Sequence, residues 1–289
     1  MILTVTPNAA LDVTYRVPTL RPGGTHRVHD VHTRPGGKGV NVTDVLTQLG
    51  EPVRATGFAG GDLRDELPGF VPIAGHSRRT VTVLSTDDGS ATLFNEPGPH
   101  ISPGEWAALI AQFDDLVTNA RVVVLSGSLP PGAPADGYAQ LIRRAPVPVI
   151  LDTDGEPLRH GLAAGPALIK PNHDELTRLL GRAPGDLHTD CVSLGVPVAA
   201  TLGARGTLLS TSDGTWLAEP PRAVHGNPTG AGDAFTAAFA RGIAAGQPWP
   251  EILADAVALS AAAVNTPVAG TFDEDTYREF ADHVRVQES

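Results

Sequence analysis

PGEWAALIAQFDDLVTNARVVVLSGSLPPG, residues 103–132, is the stretch on which the fold turns. It reads as a helix over about 104–118, then an apolar strand, Val122–Leu125, then a loop of glycines and prolines. The rhythm repeats downstream. Strands are predicted at Val147–Leu151, Ala167–Ile169 and Val198–Thr201, and helices at about 136–144 and 173–180. Helices alternating with apolar strands predict a mostly parallel sheet with crossover helices, an open doubly wound α/β fold. The last 60 residues read as mainly helical and Ala-rich, over 231–245, 250–265 and 273–284.

Upstream the pattern differs. Ile2–Val5 reads as a strand, 39–49 as a helix stopped by Gly50, and 52–58 as a strand. Leu11–Val17 and His26–His32 alternate and are joined at Pro22-Gly23-Gly24. Thr80–Ser85 and Ala91–Asn95 alternate around Asp87-Asp88-Gly89. These two pairs, about 9–32 and 76–96, fall outside the crossover rhythm and predict a small projecting β-sheet. Such a sheet serves as a lid, an edge extension or a dimer-forming surface.

The chain of 289 residues fits one α/β domain over 1–289. Its formal charge of −11 argues against a nucleic-acid partner. No apolar run is long enough to cross a membrane, and the N-terminus lacks the pattern of a signal peptide. Cys191 is the only cysteine, which excludes an intrachain disulfide and a multi-thiolate metal site. A cytoplasmic protein is expected. Of 21 basic residues only two are lysines, Lys38 and Lys170. An Arg-rich surface makes a retained lysine informative, because a compact ammonium and a planar guanidinium do different work at a chemical site.

Asn227-Pro228-Thr229-Gly230-Ala231-Gly232-Asp233 opens an apolar helix. Small residues at a helix N-terminus admit an anion to unpaired amides. Asp233 is either an acid placed to take a proton or a helix cap. Lys38 lies in Pro35-Gly36-Gly37-Lys38-Gly39-Val40-Asn41. This is not a Walker A loop, because Gly39 stands where Ser or Thr is required. It is a polar cradle or a turn with a solvated lysine. No G-x-G-x-x-G follows a strand, so a dinucleotide enzyme is disfavoured. In Lys170-Pro171-Asn172-His173-Asp174-Glu175, Asn172 and Glu175 share a helix face. They suit a hydrated Mg²⁺ or a capping box. Asp12, near the first lid strand, binds hydroxyls or faces water. Arg27, Arg78 and Arg79 on the lid clamp a phosphate or guard an edge. Ser126–Gly132 and Thr201–Gly206 each follow an apolar strand, where such folds bind ligands. The 10 histidines show no metal-ligand spacing.

Together these segments resemble the pfkB (ribokinase-like) carbohydrate kinases, in the branch of 1-phosphofructokinases and tagatose-6-phosphate kinases. The matching pieces are TPNAALDVTYRV (6–17), PGGKGVNVTDVLTQLG (35–50), FNEPGP (94–99) and LSGSLPPG (125–132). LDTDG (151–155), IKPNHDEL (169–176), TLGARG (201–206) and NPTGAGDAF (227–235) follow in the family's order. The resemblance implies a ribokinase-like fold with a β lid, and an ATP- and Mg²⁺-dependent kinase. It implies Asp233 as general base and the amides of Gly230, Ala231 and Gly232 as an anion hole. Asn172 and Glu175 would organise Mg²⁺ through water. Lys170, Asn172, Thr201, Gly203, Gly206 and Asn265 would line the ATP site. Asp12, Gly37 and Asn41 would bind sugar hydroxyls. Lys38, Arg27, Arg78 and Ser128 would hold the substrate's own phosphate. The implied reaction is fructose 1-phosphate to fructose 1,6-bisphosphate. Tagatose 6-phosphate, fructose 6-phosphate and a catalytically silent sugar-phosphate-binding protein are the alternatives, and the lid would also form a homodimer. The chain departs from the family pattern in short segments at 61–77 and 181–197, at Ala9 and in lid residues 80–84.

Overall fold

β1 (Ile2–Thr6) is five consecutive buried residues, which places it inside a sheet covered on both faces. The computed structural model describes residues 1–224 and 226–288, with the backbone alone at Ala204. After β1 come β2 (Ala10–Val17), β3 (Asp30–Gly36), α1 (Lys38–Gln48), β4 (Val53–Ala59), α2 (Leu63–Glu66), β5 (Val71–Pro72), β6 (Arg78–Ser85) and β7 (Ala91–Asn95). The next part runs α3 (Pro103–Val117), β8 (Val122–Ser126), α4 (Gly137–Arg144), β9 (Val149–Asp152), α5 (Gly155–Leu162), β10 (Leu168–Ile169), α6 (His173–Leu180), α7 (Leu187–Val192) and β11 (Val198–Thr201). The hairpin β12 (Thr207–Thr211) and β13 (Gly214–Glu219) precedes α8 (Ala231–Ala245), α9 (Trp249–Val264), α10 (Glu274–Ala281) and β14 (Arg285–Glu288).

Among the described residues a 10-stranded sheet has the order β14-β13-β12-β11-β10-β9-β8-β1-β4-β5. It is parallel from β5 to β11 and antiparallel from there to β14. Alternating side chains divide the core between its faces. Ile2, Val122 and Val124 pack with Val45, Phe235, Phe239 and Leu253 under α1, α8 and α9. Leu3, Val123 and Leu125 pack with Phe113, Tyr138, Leu158 and Leu176 under α3 to α6. The order in which successive strands join the sheet reverses at β1, whose neighbours are β8 and β4, and ligand crevices open at such a switch point.

The second sheet, β3-β2-β6-β7, is the projecting one predicted from the alternating pairs. One boundary shifts. The strand expected at His26–His32 is β3 at Asp30–Gly36, because pairing runs from Arg16↔Asp30 to Ala10↔Gly36. The lid therefore continues directly into α1. The C-terminal segment is mainly helical, as read, through α8, α9 and α10, and β14 adds an unexpected strand on the edge of the large sheet. Residues 61–77 hold only α2 and β5, and 181–197 hold only the six-residue α7.

Candidate active site

The carboxyl ends of β1, β8 and β9 form the floor of the crevice. Asp152 ends β9 and is buried. Both lysines of the chain reach it. Lys38 Nζ donates to Asp152 Oδ1 at 2.9 Å, and Lys170 Nζ lies 3.4 Å from the same oxygen. Burial alone would raise the Asp152 pKa, but Lys170 and Lys38 hold it below the usual carboxylate value. Burial likewise opposes charge on Lys38, and Asp152, Glu175 and Asp233 outweigh it and raise its pKa. Thr6 Oγ1, Ser126 Oγ, Asp152 Oδ2 and Thr153 Oγ1 are buried on this floor without a partner among the described residues. Such orphaned polar atoms mark a place built for a polar occupant. Asp152 was missed by sequence reasoning. Its signal is an acid closing the apolar strand in LDTDG, residues 151–155.

Asn172 and Glu175 form the capping box of α6. The Asn172 N–H donates to Glu175 Oε2 at 2.9 Å, and the Glu175 N–H donates to Asn172 Oδ1 at 2.9 Å. Glu175 Oε1 is left 3.8 Å from Lys38 Nζ, facing the crevice floor. Lys38, expected beside the sugar's phosphate, is thus held by Asp152 and Glu175.

Asp233 occupies the first turn of α8, but Gly230 is the N-cap and, among the described residues, no side chain caps the helix. The cap alternative is thereby removed. Gly230 has φ +89°, and a Cβ there would lie 2.7 Å from the Ala269 Cβ, so only glycine fits this turn. The Ala231 N–H already donates to Pro228 O at 3.2 Å. Among the described residues the Gly230 and Gly232 N–H groups have no backbone acceptor. A Cβ on Gly232 would lie 3.4 Å from Lys170 Nζ, so the ammonium sits beside Gly232 at the start of the helix. Amides, helix dipole and cation together make an anion cradle. Asp233 itself is buried, and Asn41 Nδ2 donates to its Oδ2 at 2.7 Å. Burial, reinforced by Asp152, pushes its pKa up to about 6 against the pull of Lys38, Asn41 and Lys170. A carboxylate with that value is suited to accept a proton near neutral pH.

The lid side is polar where it faces the crevice. Asp12 stands opposite Arg34 on β3 and Thr80 on β6. Burial raises its pKa, offset in part by Arg34 and Arg78. A Cβ on Gly36 would fall 2.0 Å from Asp12 Oδ2, so this glycine makes room for the carboxylate. Gly37 is the N-cap of α1. Arg78 Nε donates to Asn8 O at 3.1 Å, and Asn8 Nδ2 donates to Ser128 Oγ at 2.9 Å and to Pro97 O at 3.0 Å. Asn8 thus ties Arg78 of the lid to the 94–99 and 125–132 loops. Neither Asn8 nor Arg34 was singled out from the sequence, and Arg34 carried no local motif. Arg27 is exposed in the connection between β2 and β3, and among the described residues no hydrogen bond or ion pair ties it to the Arg78, Asn8 and Ser128 group.

On the other side of α8 lies a cavity of about 720 Å³. Its lining includes Asn172, Thr201, Gly203, Gly206, Gly232 and Val257. A mostly apolar slot that reaches Ala231 and Gly232 at the start of α8 fits a nucleotide, with its base in the slot and its phosphates toward the cradle; Lys170 is not in its lining. Asn265 is not in that lining, and its Nδ2 donates to Thr276 Oγ1 at 2.7 Å. No cluster of three metal-ligating side chains exists among the described residues. Glu175 Oε1, left free by the capping box, is the carboxylate oxygen here that would suit a hydrated divalent cation carried by a nucleotide's phosphates.

The comparisons agree with this geometry. The pfkB family carbohydrate kinase model matches residues 5–276. Phosphofructokinase-2 from Escherichia coli, solved in complex with fructose-6-phosphate, is similar over 98% of both chains at 26% identity and a TM-score of 0.87. A possible 1-phosphofructokinase from Thermotoga maritima is similar at 25% identity and a TM-score of 0.87, over 100% of this chain and 99% of that one. Ribokinase from Thermotoga maritima shares the fold at 19% identity and a TM-score of 0.81, over 98% of this chain and 99% of that one. With its lid, its cradle and a family match over nearly its whole length, the chain belongs to the pfkB family of carbohydrate kinases and is an ATP-dependent sugar kinase.

Proposed function

We propose that this single-domain kinase, spanning 1–289 and working in the cytoplasm, phosphorylates fructose 1-phosphate to fructose 1,6-bisphosphate. The observation that carries an anionic acceptor is Arg78. Its Nε and Nη1 are fixed on Asn8 O and Glu96 O, while Nη2 has no partner among the described residues. It flanks Asp12 beside Ser128, at the end of the crevice away from the nucleotide slot. A guanidinium so fixed is a ready anchor for a sugar's existing phosphate.

Asp12 and Asn41 orient the sugar, and Asp233 accepts the proton of its attacking hydroxyl. Gly230, Gly232 and Lys170 neutralise charge on the transferred phosphoryl group. ATP would supply that group, and Asn172 and Glu175 would hold a hydrated Mg²⁺ that neutralises charge on its phosphates. The lid excludes water as a competing acceptor. Its outer face carries Val31 and Phe94, 51% and 56% exposed, beside the half-buried Tyr15 and Val81. This face suits a homodimer through the lid. Fructose 6-phosphate is the second reading, favoured by the likeness to phosphofructokinase-2.

The test is ADP release with Mg-ATP across fructose 1-phosphate, fructose 6-phosphate and tagatose 6-phosphate. The highest kcat/KM with fructose 1-phosphate supports the first reading. A higher value with either of the others reassigns the sugar.

A further inference from the structure

Arg34 lies on lid strand β3, yet its guanidinium leaves the lid. Its Nη1 donates to Ala269 O and its Nη2 donates to Asn41 Oδ1 and, at 3.3 Å, to Asp44 Oδ2. Nε donates to Pro35 O at 3.0 Å. The two main contacts lead to the two halves of the catalytic apparatus. Ala269 and Gly270 pack on Gly230, where a Cβ would meet the Ala269 Cα at 2.8 Å and the Gly270 N at 3.2 Å. Asn41 donates from Nδ2 to Asp233 Oδ2.

We propose that Arg34 is a positioning residue for phosphoryl transfer, one that couples the lid to the base through Asn41 and to the anion hole through the Ala269–Gly270 turn. The proposal rests on Asp233 being the base. A carboxamide is nearly symmetric in shape and opposite in polarity at its two ends. A guanidinium bonded to Oδ1 fixes the end that accepts, so Nδ2 must point at Asp233. Without Arg34 the Asn41 amide is free to turn an oxygen toward the carboxylate. Asp233 then loses its donor, and the oxygen aimed at the sugar hydroxyl is no longer fixed. Arg34 also turns lid closure into a condition for catalysis, because β3 is the strand that runs straight into α1 and Asn41.

The charged neighbours are defined. Around Asp233 stand Asp152 from β9, Lys38 from α1 and Lys170 after β10. Around Arg34 stand Asp12 from β2 and Asp44 from α1, with Arg78 of β6 beyond Asp12. Arg34 does not line the nucleotide cavity.

The experiment measures kcat, KM and the pH profile on the best acceptor for wild type, Arg34→Gln, Arg34→Lys, Asn41→Ala and the Arg34→Gln/Asn41→Ala double variant. Arg34→Gln is expected to lower kcat on the order of 10- to 100-fold and to move the acid limb upward in pH, with KM for ATP within about twofold. Arg34→Lys is expected to recover part of the rate. In the Asn41→Ala background, Arg34→Gln is expected to cost less than it does alone and to leave the acid limb where it was. An unmoved acid limb in Arg34→Gln, or losses that add in full in the double variant, overturns the coupling while leaving the base assignment standing. If Arg34→Gln fails to fold, Asn41→Asp decides. It presents an oxygen to Asp233 from the same place, and an unmoved acid limb there overturns the proposal. A wild-type profile with no acid limb overturns the base assignment and the coupling together.

Discussion

Asp233 is a carboxylate in a place that disfavours its charge, and the cause is visible in its neighbours. Burial and Asp152 raise its pKa to about 6, above the ordinary value of 3.8. The folded protein therefore holds the Asp233 proton more tightly than the unfolded chain does. The stability from this group is fully present below about pH 4 and is lost as pH rises through about 6. The ionised group costs ~3 kcal/mol at pH 8. Asp233→Asn is thus expected to raise the melting temperature at pH 8 while lowering kcat on the order of 10³-fold, with nucleotide affinity retained. A thermal melt alongside a rate assay checks both. Asp152→Asn is expected to do the reverse to stability. It leaves Lys38 and the buried Lys170 without their shared carboxylate, at roughly 3–5 kcal/mol by denaturant titration. It also removes the like charge that raises Asp233, so the acid limb of kcat/KM is expected to move down in pH.

At the scale of elements, the lid is a two-faced sheet because side chains alternate along each strand. Asp12, Thr80 and Arg34 share the face toward the crevice, while Val13, Val81 and Phe94 share the other. Gly36 sits where β3 meets Asp12. Gly36→Ala is expected to displace that carboxylate and raise KM for the sugar roughly 10-fold or more, with KM for ATP little changed, as steady-state kinetics will show. Much of this architecture was legible beforehand. β7, β11, α6 and α8 stand at the residues read from periodicity, because their apolar spacing and caps are local properties. The β12–β13 hairpin was passed over although Asp213-Gly214 marks its turn. α5 was hidden by Gly155, Pro157 and Gly161, and packing of Leu158 in the core overrides their weak propensity. In the site, both lysines were legible from composition. Their meeting on Asp152 was not, since Lys38 and Asp152 are 114 residues apart. The reach of Arg34 to Ala269 spans 235 residues and exists only in three dimensions.

For the whole molecule, the apolar outer face of the lid has a consequence for assembly. The proposed homodimer through the lid is expected to give way to monomer in Phe94→Asp by sedimentation velocity, because a charge there must be desolvated to form such an interface. The central claim is that this fold carries phosphoryl transfer to an anionic sugar, with Asp233 as the base. The most direct test is ADP release from Mg-ATP with fructose 1-phosphate and with fructose, for wild type and Asp233→Asn in parallel. The account predicts turnover on the phosphosugar by wild type, little on fructose, and loss of turnover in the variant. A clear preference for free fructose, or a variant as fast as wild type, would contradict it.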